Sequence, residues 1–279
     1  PLTLSKFVNM RKYYFLLLIS FISFFANAQN ADSLFIKKLS DEIMVNGKAY
    51  DNLRQLCKQI GNRLSGSPQM YKAEAWGVQT LEKSGADKVW KQQCKVPHWV
   101  RGGKDQLWTP VFVSANNPKM LDGRLENKYL DVLAIGNSEG TGNKVLTGEV
   151  VLVNSFDELE NKKEQVKDKI VFFNYHFNET FVRTFAAYRD AVKYRASGAS
   201  SAAKYGAKAV IVRSMSHATD NFPHTGGMRY DTAYSKIPAM AIGLGDADWL
   251  AERTTKGKIQ VSMKSNAHFL PDTLAHNII

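Results

Sequence analysis

The residues that come closest to a known catalytic motif are Gly136–Gly140, which match the G-x-S-x-G pattern of serine hydrolases with Ser138 as the nucleophile. That motif needs a helix directly after the serine, because the sharp strand-to-helix turn exposes the hydroxyl and helps to form the oxyanion hole. Here Thr141–Lys144 lead into another strand-like run instead. The pattern therefore predicts a hairpin loop rather than a serine nucleophile.

Histidines are the next residues that could do chemistry, as metal ligands. The chain contains six of them, at His98, His176, His217, His224, His268 and His276. None belongs to an H-E-x-x-H motif, and none stands two residues before an aspartate. His217 and His224 share one polar loop with Asp220 and could converge on a metal, although loop histidines are more often simple hydrogen-bonding residues. The residues alone therefore assemble no catalytic set.

The N-terminal segment is typical of an export signal. Met10–Lys12 form a short cationic stretch, and Tyr13–Ala26 are apolar apart from two serines. This run is shorter than the roughly 20 apolar residues that span a bilayer. The small residues Ala26 and Ala28 then predict signal-peptidase cleavage between Ala28 and Gln29. We expect a secreted or periplasmic protein that has no membrane segment after cleavage; a buried or amphipathic helix is disfavoured because the polar residues form no stripe.

Charge and cysteine content limit the partners and the covalent links. The 279 residues carry 37 Lys+Arg against 26 Asp+Glu, a net charge of +11 that falls to +8 when residues 1–28 are removed. These charges are scattered, without a basic stripe interleaved with aromatics, so nucleic-acid binding is not expected. An oxidising compartment would permit a disulfide between Cys57 and Cys94, but two buried free thiols remain the alternative.

Hydrophobic periodicity predicts helices first and a strand-rich region afterwards. Two helices are expected at about residues 32–45 and 53–60, and a third begins at Ser67, a good N-cap followed by Pro68. Strands are expected at 88–96, 130–135, 148–153, 169–174, 207–212, 237–242 and 258–263. Short helices at 158–167 and 246–254 and an Ala-rich segment at 195–205 lie between them. The pattern predicts a mixed α/β module from about Asp122 to Ser265.

Several short stretches, taken in order, resemble the carboxypeptidase Q-like family of zinc-dependent exopeptidases. Each stretch is weak alone, but together they run in one order from about Tyr50 to the C-terminus. They are Gly61–Ser67, Val96–Gly102, Ser155–Leu159, Lys169–Val171, Ala202–Ala207, Pro223–Gly226, Lys236–Ala239 and Pro271–Thr273. The resemblance implies a fold class, a domain organisation and a chemistry.

The implied fold is α/β, with a mixed α/β protease-associated domain inserted into an incomplete zinc-exopeptidase domain. Residues 1–28 would be upstream residues and signal peptide, and 29–121 would begin the catalytic domain. Residues 122–265 would form the protease-associated domain, and 266–279 would start the resumed catalytic domain, with its strand beginning at Asn277. The chain would then be the N-terminal portion of a longer enzyme.

The implied chemistry is hydrolysis of dipeptides or short peptides by two zinc ions that share a water, with a glutamate as general base. In this family the metal ligands and the base follow the strand that begins at Asn277, so the resemblance implies no catalytic residue and no metal ligand within this chain. The segment alone is expected to be inactive. A homodimer is a further expectation from the family.

The inserted domain would lie over the active-site cleft, which gives a set of residues that could approach the substrate. These are His98, Trp99, Pro223, His224, Thr225 and Gly226. The competing interpretation is structural, with Pro223 and the glycines shaping a turn and Trp99 packing at a domain junction. A non-enzymatic secreted protease-associated module that binds a peptide or protein is the alternative function.

Overall fold

A computed structural model describes residues 31–113, 124–218 and 220–279. The predicted signal peptide and its cleavage site between Ala28 and Gln29 lie outside these residues. The described chain divides into two compact units, one ending at Asn62 and the other running from Arg63 to Ile279. No helix in the described residues is long and apolar enough to cross a membrane.

The first unit is helical. Helix α1 covers residues 31–46, and α2 (Ala49–Gln55) continues into a π-helical turn, Leu56–Ile60. Gly61 ends this run with a φ of 82°, a left-handed conformation that favours glycine. The two predicted helices are confirmed, although the second begins earlier than the periodicity indicated. Their apolar residues are largely exposed in this structure, among them Leu34, Phe35, Leu39 and Ile43.

The second unit opens with a helix and a long two-stranded ribbon. Helix α3 (Pro68–Lys83) starts where the sequence predicts, with the Ser67 hydroxyl accepting a hydrogen bond from the Met70 amide at 3.2 Å. Strand β1 (Lys91–Val100) pairs antiparallel with β10 (His268–Ile278), and the register shifts between Val96 and His98. The strand that we placed from Asn277 therefore begins at His268, because its residues pair along nearly all of β1.

Helix α3 is joined to this ribbon by one buried carboxylate. Glu74 is buried, accepts a hydrogen bond from the His276 amide at 2.8 Å, and lies 2.9 Å from the Nδ1 atom of that histidine. Gly77 lies so close to Ile278 that a β-carbon there would be 3.4 Å from its side chain. The helix and the ribbon therefore pack as one body.

The chain segment between β1 and β10 forms an eight-stranded mixed sheet, with the strands in the order β3-β2-β9-β5-β6-β7-β8-β4. The pairs β5–β6, β6–β7 and β7–β8 are parallel, and the other neighbouring pairs are antiparallel. The strands are β2 (Gln106–Val113), β3 (Arg124–Leu130), β4 (Val132–Ala134), β5 (Leu146–Val153), β6 (Ile170–Phe173), β7 (Ala209–Arg213), β8 (Ala239–Ile242) and β9 (Gln260–Lys264). The predicted α/β class is confirmed.

Helices cover both faces of this sheet, as the strand sequences require. Residues of α4 (Phe156–Asn161), α5 (Lys163–Val166) and α6 (Thr184–Ala203) pack with Val171 and Phe173 in one buried cluster. Residues of α7 (Leu244–Lys256) pack with Ile170 and Phe172 in a second one. Alternate residues of β6 thus enter opposite cores, which is why its sequence is apolar throughout.

Besides β10, several elements differ from the sequence prediction. The helix expected at 158–167 is split at Lys162 into α4 and α5, and the Ala-rich segment is the C-terminal part of α6, which begins at Thr184. Strands β2 and β3 are absent from the prediction, yet they form one end of the eight-stranded sheet. The sheet thus takes residues from 106 to 264, while the domain boundaries at 122 and 265 stay predictions.

Candidate functional site

A cavity of about 410 Å³ lies where the ribbon meets the sheet. One wall comes from Pro97 and Trp99 of β1 and from Arg101 just after it, and Leu64 and Ser65 also line the cavity. The other wall comes from two loops, Gly136–Asn137 after β4 and Thr225–Gly227 between β7 and β8. A cavity of this size is in the range that takes small-molecule and short-peptide ligands.

Trp99 forms the base of the ribbon wall. Its side chain is buried, and its indole nitrogen donates a hydrogen bond to the Ser138 carbonyl at 2.8 Å. The Arg101 guanidinium lies 5.1 Å from the centre of its ring, within the range of a cation–π contact. Trp99 therefore packs where the ribbon meets the sheet and also lines the cavity, and its place at a domain junction stays a prediction.

Ser138 is not an activated nucleophile in this structure. The loop after it runs into β5 without a helix, as the sequence predicts. The residue is buried to 1% exposure, and its hydroxyl has no hydrogen-bond partner among the described residues. A catalytic serine needs a general base within hydrogen-bond reach and an exposed oxygen, and Ser138 has neither here.

A buried carboxylate fixes the junction behind the cavity. Asp105 accepts hydrogen bonds from the Ala134 amide at 2.7 Å and from the Ser265 hydroxyl at 2.7 Å. Its ion pair with Arg101 is 3.2 Å long, and the same Arg101 nitrogen donates to the Ala134 carbonyl at 2.8 Å. Asp105 thereby connects the two segments through which the chain passes between ribbon and sheet, and it joins both of them to the end of β4. Sequence reasoning missed it, since nothing in its local pattern marks it as buried.

The opposite wall is the loop that the sequence singled out. The Thr225 hydroxyl donates to the Ala134 carbonyl at 3.1 Å, and the Gly226 carbonyl accepts from the Gly136 amide at 2.8 Å. The His224 amide donates to the Ser214 hydroxyl at 2.7 Å. Partial burial, together with the charge of Arg195, holds the pKa of His224 below its ordinary value. Both effects favour the neutral imidazole over the charged one.

The structure brings together only some of the six predicted substrate-proximal residues. Trp99, Thr225 and Gly226 line the cavity, whereas Pro223 and His224 precede that wall without lining it. The His98 ring packs against Gly66, where a β-carbon would be 2.5 Å from it. Arg101 and Asn137 are lining residues that the prediction did not include, although Arg101 stands inside a stretch that carried the family resemblance.

The histidines do not converge on a metal site. Among the described residues no group of three or more His, Cys, Asp or Glu side chains could hold an ion. The His217 ring packs edge-on against Phe177 at 4.8 Å and lies 3.6 Å from Glu179. Cys57 and Cys94 are both free thiols, and Cys57 is exposed.

Comparison with known proteins identifies relatives of this chain. No protein-family model matches it. It is 35% identical over 243 residues to carboxypeptidase Q of Xenopus laevis, which covers 85% of this chain and 47% of the relative. It is 32% identical over 249 residues to human carboxypeptidase Q, covering 88% of this chain and 48% of the relative. The chain thus spans about half the length of these relatives.

Solved structures agree with the sequence comparison. A peptidase M28 precursor from Shewanella amazonensis SB2B matches with a TM-score of 0.77 and 27% identity, over 89% of this chain and 53% of that one. A zinc aminopeptidase from Bacillus subtilis matches with a TM-score of 0.50 over 82% and 45%, and at 18% identity it shows only the fold. Over most of its length, this chain is therefore a homologue of carboxypeptidase Q with the α/β fold of an M28 peptidase.

Proposed function

We propose that this chain is the N-terminal portion of an exported zinc-dependent exopeptidase that hydrolyses dipeptides or short peptides. The observation that carries the proposal is homology to carboxypeptidase Q along more than four fifths of the chain, at 31–35% identity. The M28 peptidase precursor supports it independently through a three-dimensional match over 89% of the chain.

The described residues do not fit a zinc site themselves. Zinc in proteins takes three or four closely spaced His, Cys or carboxylate ligands. The imidazole–carboxylate pairs here, His276 with Glu74 and His217 with Glu179, are isolated pairs without a third ligand. We therefore place the zinc ligands in the part of the relatives that this chain does not span, and we derive no catalytic step from the residues present.

This chain's contribution is a binding wall. In the proposed domain organisation, residues 29–121 and 266–279 belong to the catalytic domain and 122–265 to a protease-associated domain. The cavity lies between these parts, because Trp99 and Arg101 come from the first and Thr225–Gly227 from the second. Such a position suits residues that orient a short peptide and limit its length, while the hydrolytic groups come from elsewhere.

The proposal is tested by extending the reading frame past Ile279 and expressing the full-length protein beside the 279-residue chain. We expect the full-length protein to cleave dipeptides, to lose activity on chelation and to regain it with zinc. The 279-residue chain is expected to stay inactive with zinc. A full-length protein without peptidase activity, or zinc-dependent cleavage by the short chain, would contradict the proposal. An inactive but cooperatively folded protein would favour the secreted binding module.

Export and assembly are tested separately. Mass spectrometry of the protein recovered from the medium or the periplasm should show a mature N-terminus at Gln29. Sedimentation of the full-length protein should give the mass of a homodimer. Retention of residues 1–28 would contradict export, and a monomer at micromolar concentration would contradict the dimer.

A further inference from the structure

Two arginines of the sheet domain are equally buried but differ in their partners. Arg195 on α6 and Arg213 at the end of β7 are each 8% exposed. Arg213 forms an ion pair of 2.6 Å with Asp248 and donates to Asn174 at 3.2 Å. Arg195 forms no ion pair with any described residue, and two of its nitrogens, Nε and Nη1, are buried without an acceptor. Arg195 is therefore a buried cation that lacks a counter-charge.

An arginine in this state is unusual, because removing a charge from water is costly unless a partner of opposite charge replaces the water. The contacts that Arg195 does make are neutral. Its Nη2 donates to the Tyr188 hydroxyl at 2.7 Å, and its guanidinium lies 5.5 Å from the centre of the Tyr188 ring. These contacts hold the guanidinium in place without neutralising it, which leaves two oriented donors for an anion.

The guanidinium lies directly against the cavity wall. A β-carbon at Gly226 would be 2.6 Å from Cζ and 2.7 Å from Nη1 of Arg195, and Gly226 also lines the cavity. Glycine at this position leaves room for the guanidinium in its present place, because a β-carbon there would force it to shift. His224 lies beside it, since the Arg195 charge contributes to the lowered pKa of that imidazole.

The charge of the cavity selects the ligand class. Among the described residues that line it, Arg101 is the one with a formal charge; its side chain is 28% exposed, and the other lining residues are neutral. Arg101 is already paired with Asp105 at 3.2 Å, so Arg195 behind Gly226 is the cation at this site that has no carboxylate partner among the described residues. Carboxylates are the anions that arginine binds with short, charge-assisted hydrogen bonds. A short peptide with a free C-terminus supplies one.

We propose that Arg195 binds the carboxylate of a short peptide that occupies the cavity beside Gly226. This inference rests on the proposed function, since a peptidase substrate provides the carboxylate. Both unpartnered nitrogens are covered in this structure, so binding includes a movement of the His224–Gly226 loop. Arg195 is thus a specificity-determining residue that distinguishes peptides with a free carboxylate from those without one.

The test uses the full-length enzyme and two substrates, the dipeptide Ala-Leu and its C-terminal amide. Arg195→Gln should raise KM for Ala-Leu by about tenfold or more and change KM for the amide by less than about twofold. Arg195→Lys should recover part of the loss, because it keeps the charge but not the planar fork. The matched control is Arg189→Gln, which removes an exposed arginine of the same helix and should leave both substrates unaffected. Equal effects on both substrates, or no effect on either, would overturn the proposal.

Direct binding separates this proposal from the proposed function. If the wild-type full-length protein cleaves neither substrate, the peptidase assignment fails, and calorimetry with Ala-Leu and its amide on the 279-residue chain decides the role of Arg195. Binding of Ala-Leu that is lost in Arg195→Gln, with weaker binding of the amide, supports the carboxylate site. Equal binding of the two peptides, or no binding, overturns it. Circular dichroism and urea unfolding of each variant show that a lost signal is not a lost fold.

Discussion

Gly226 and Gly227 are consecutive glycines in one cavity wall, but their surroundings differ. A β-carbon at Gly226 would lie 2.6 Å from the buried Arg195 guanidinium, whereas at Gly227 the nearest atom is the Asn137 side-chain nitrogen at 3.8 Å. Gly226→Ala should therefore lower the free energy of unfolding by about 1–3 kcal/mol, because the guanidinium must shift and its hydrogen bond to the Tyr188 hydroxyl is disturbed. Gly227→Ala should stay within about 0.5 kcal/mol.

Urea unfolding, followed by tryptophan fluorescence, measures the free energy of unfolding of the two alanine variants. Equal effects of the two substitutions would show that the Arg195 side chain moves aside at little cost. That result would also weaken the argument that Gly226 brings the cation to the cavity wall.

The side chain of Asp105 is a buried carboxylate with three hydrogen-bond partners, so we expect its removal to destabilise the fold. Asp105→Ala would leave Arg101 without its carboxylate and the Ala134 amide and Ser265 hydroxyl without their acceptor. We expect a loss of about 3–5 kcal/mol in the free energy of unfolding. Asp105→Asn should lose less, because the amide oxygen can still accept.

The matched control for Asp105 is Asp272→Ala on the exposed surface of β10, which should change stability by less than about 0.5 kcal/mol. Similar effects at the two positions, again by urea unfolding, would contradict the role of Asp105 at the junction.

Sequence reasoning singled out part of the cavity lining for an identifiable reason. The family resemblance singled out Trp99, Thr225 and Gly226, which the structure brings to one cavity. It could not find Asp105 or Arg195, because both are charged residues in ordinary-looking surroundings. Their burial results from contacts with residues about 30 positions away in the chain, Ala134 and Gly226. No local period or motif encodes such a contact.

At the scale of elements, α3 shows where local signals suffice. Ser67 caps the helix and Pro68 occupies its first turn, so the start of α3 follows from two adjacent residues. Ser67→Ala should lower the free energy of unfolding by about 1 kcal/mol, because the Met70 amide loses its acceptor. Ser67→Asp is the control, since aspartate caps equally well and should keep wild-type stability. A stable alanine variant in thermal or urea unfolding would show that the cap contributes nothing here.

Strand β2 shows where local signals mislead. Pro110 lies in its middle, and proline argues against a central strand because it cannot donate to the ladder. Yet β2 pairs with β9 only at Gln106–Trp108, so at Pro110 one side of the strand is an edge. Pro110 therefore has no β9 partner to donate to, although it still stands opposite Asn127 of β3. This partial pairing depends on the length of β9, which the sequence of β2 does not encode.

Helix α6 gives a second example at its N-terminus. The helix begins at Thr184, but Arg183 at the cap position makes no capping hydrogen bond through its side chain, and Phe185 in the first turn is 85% exposed. Neither a capping signal nor an apolar stripe marks this start. Packing of Ala187, Ala191 and Tyr194 against the sheet core stabilises the helix instead.

At the scale of the whole molecule, ionisable groups make stability depend on pH in both directions. Burial raises the pKa of Tyr230 to about 12, and hydrogen bonding to Asp190 followed by burial raises the pKa of Tyr175 to about 12. A folded-state pKa above the unfolded value stabilises the fold at lower pH, and this contribution is lost as the pH rises from about 10 through 12. We therefore expect the free energy of unfolding to decrease as the pH rises above about 10, where tyrosine side chains of the unfolded chain ionise.

Two histidines make the free energy of unfolding depend on pH below neutrality. Burial, with the charge of Arg213, lowers the pKa of His176, as burial and Arg195 do for His224. The unfolded chain then binds more protons than the folded one below about pH 6.5, so the free energy of unfolding decreases as the pH falls through the folded-state pKa values. Because both groups keep some exposure, each contribution is modest.

Urea unfolding between pH 7.5 and about 5 tests this acid dependence in the second unit, where all five tryptophans lie. His176→Gln and His224→Gln should each flatten the decrease, and the double variant should flatten it further, because two residues with separate cation neighbours titrate independently. His268→Gln on the exposed surface serves as the control and should keep the wild-type slope. A wild-type stability that rises on acidification would contradict the buried, neutral state of both imidazoles. An unchanged slope in His224→Gln alone would contradict a lowered pKa at His224, for which burial is the larger cause and the Arg195 charge the smaller one.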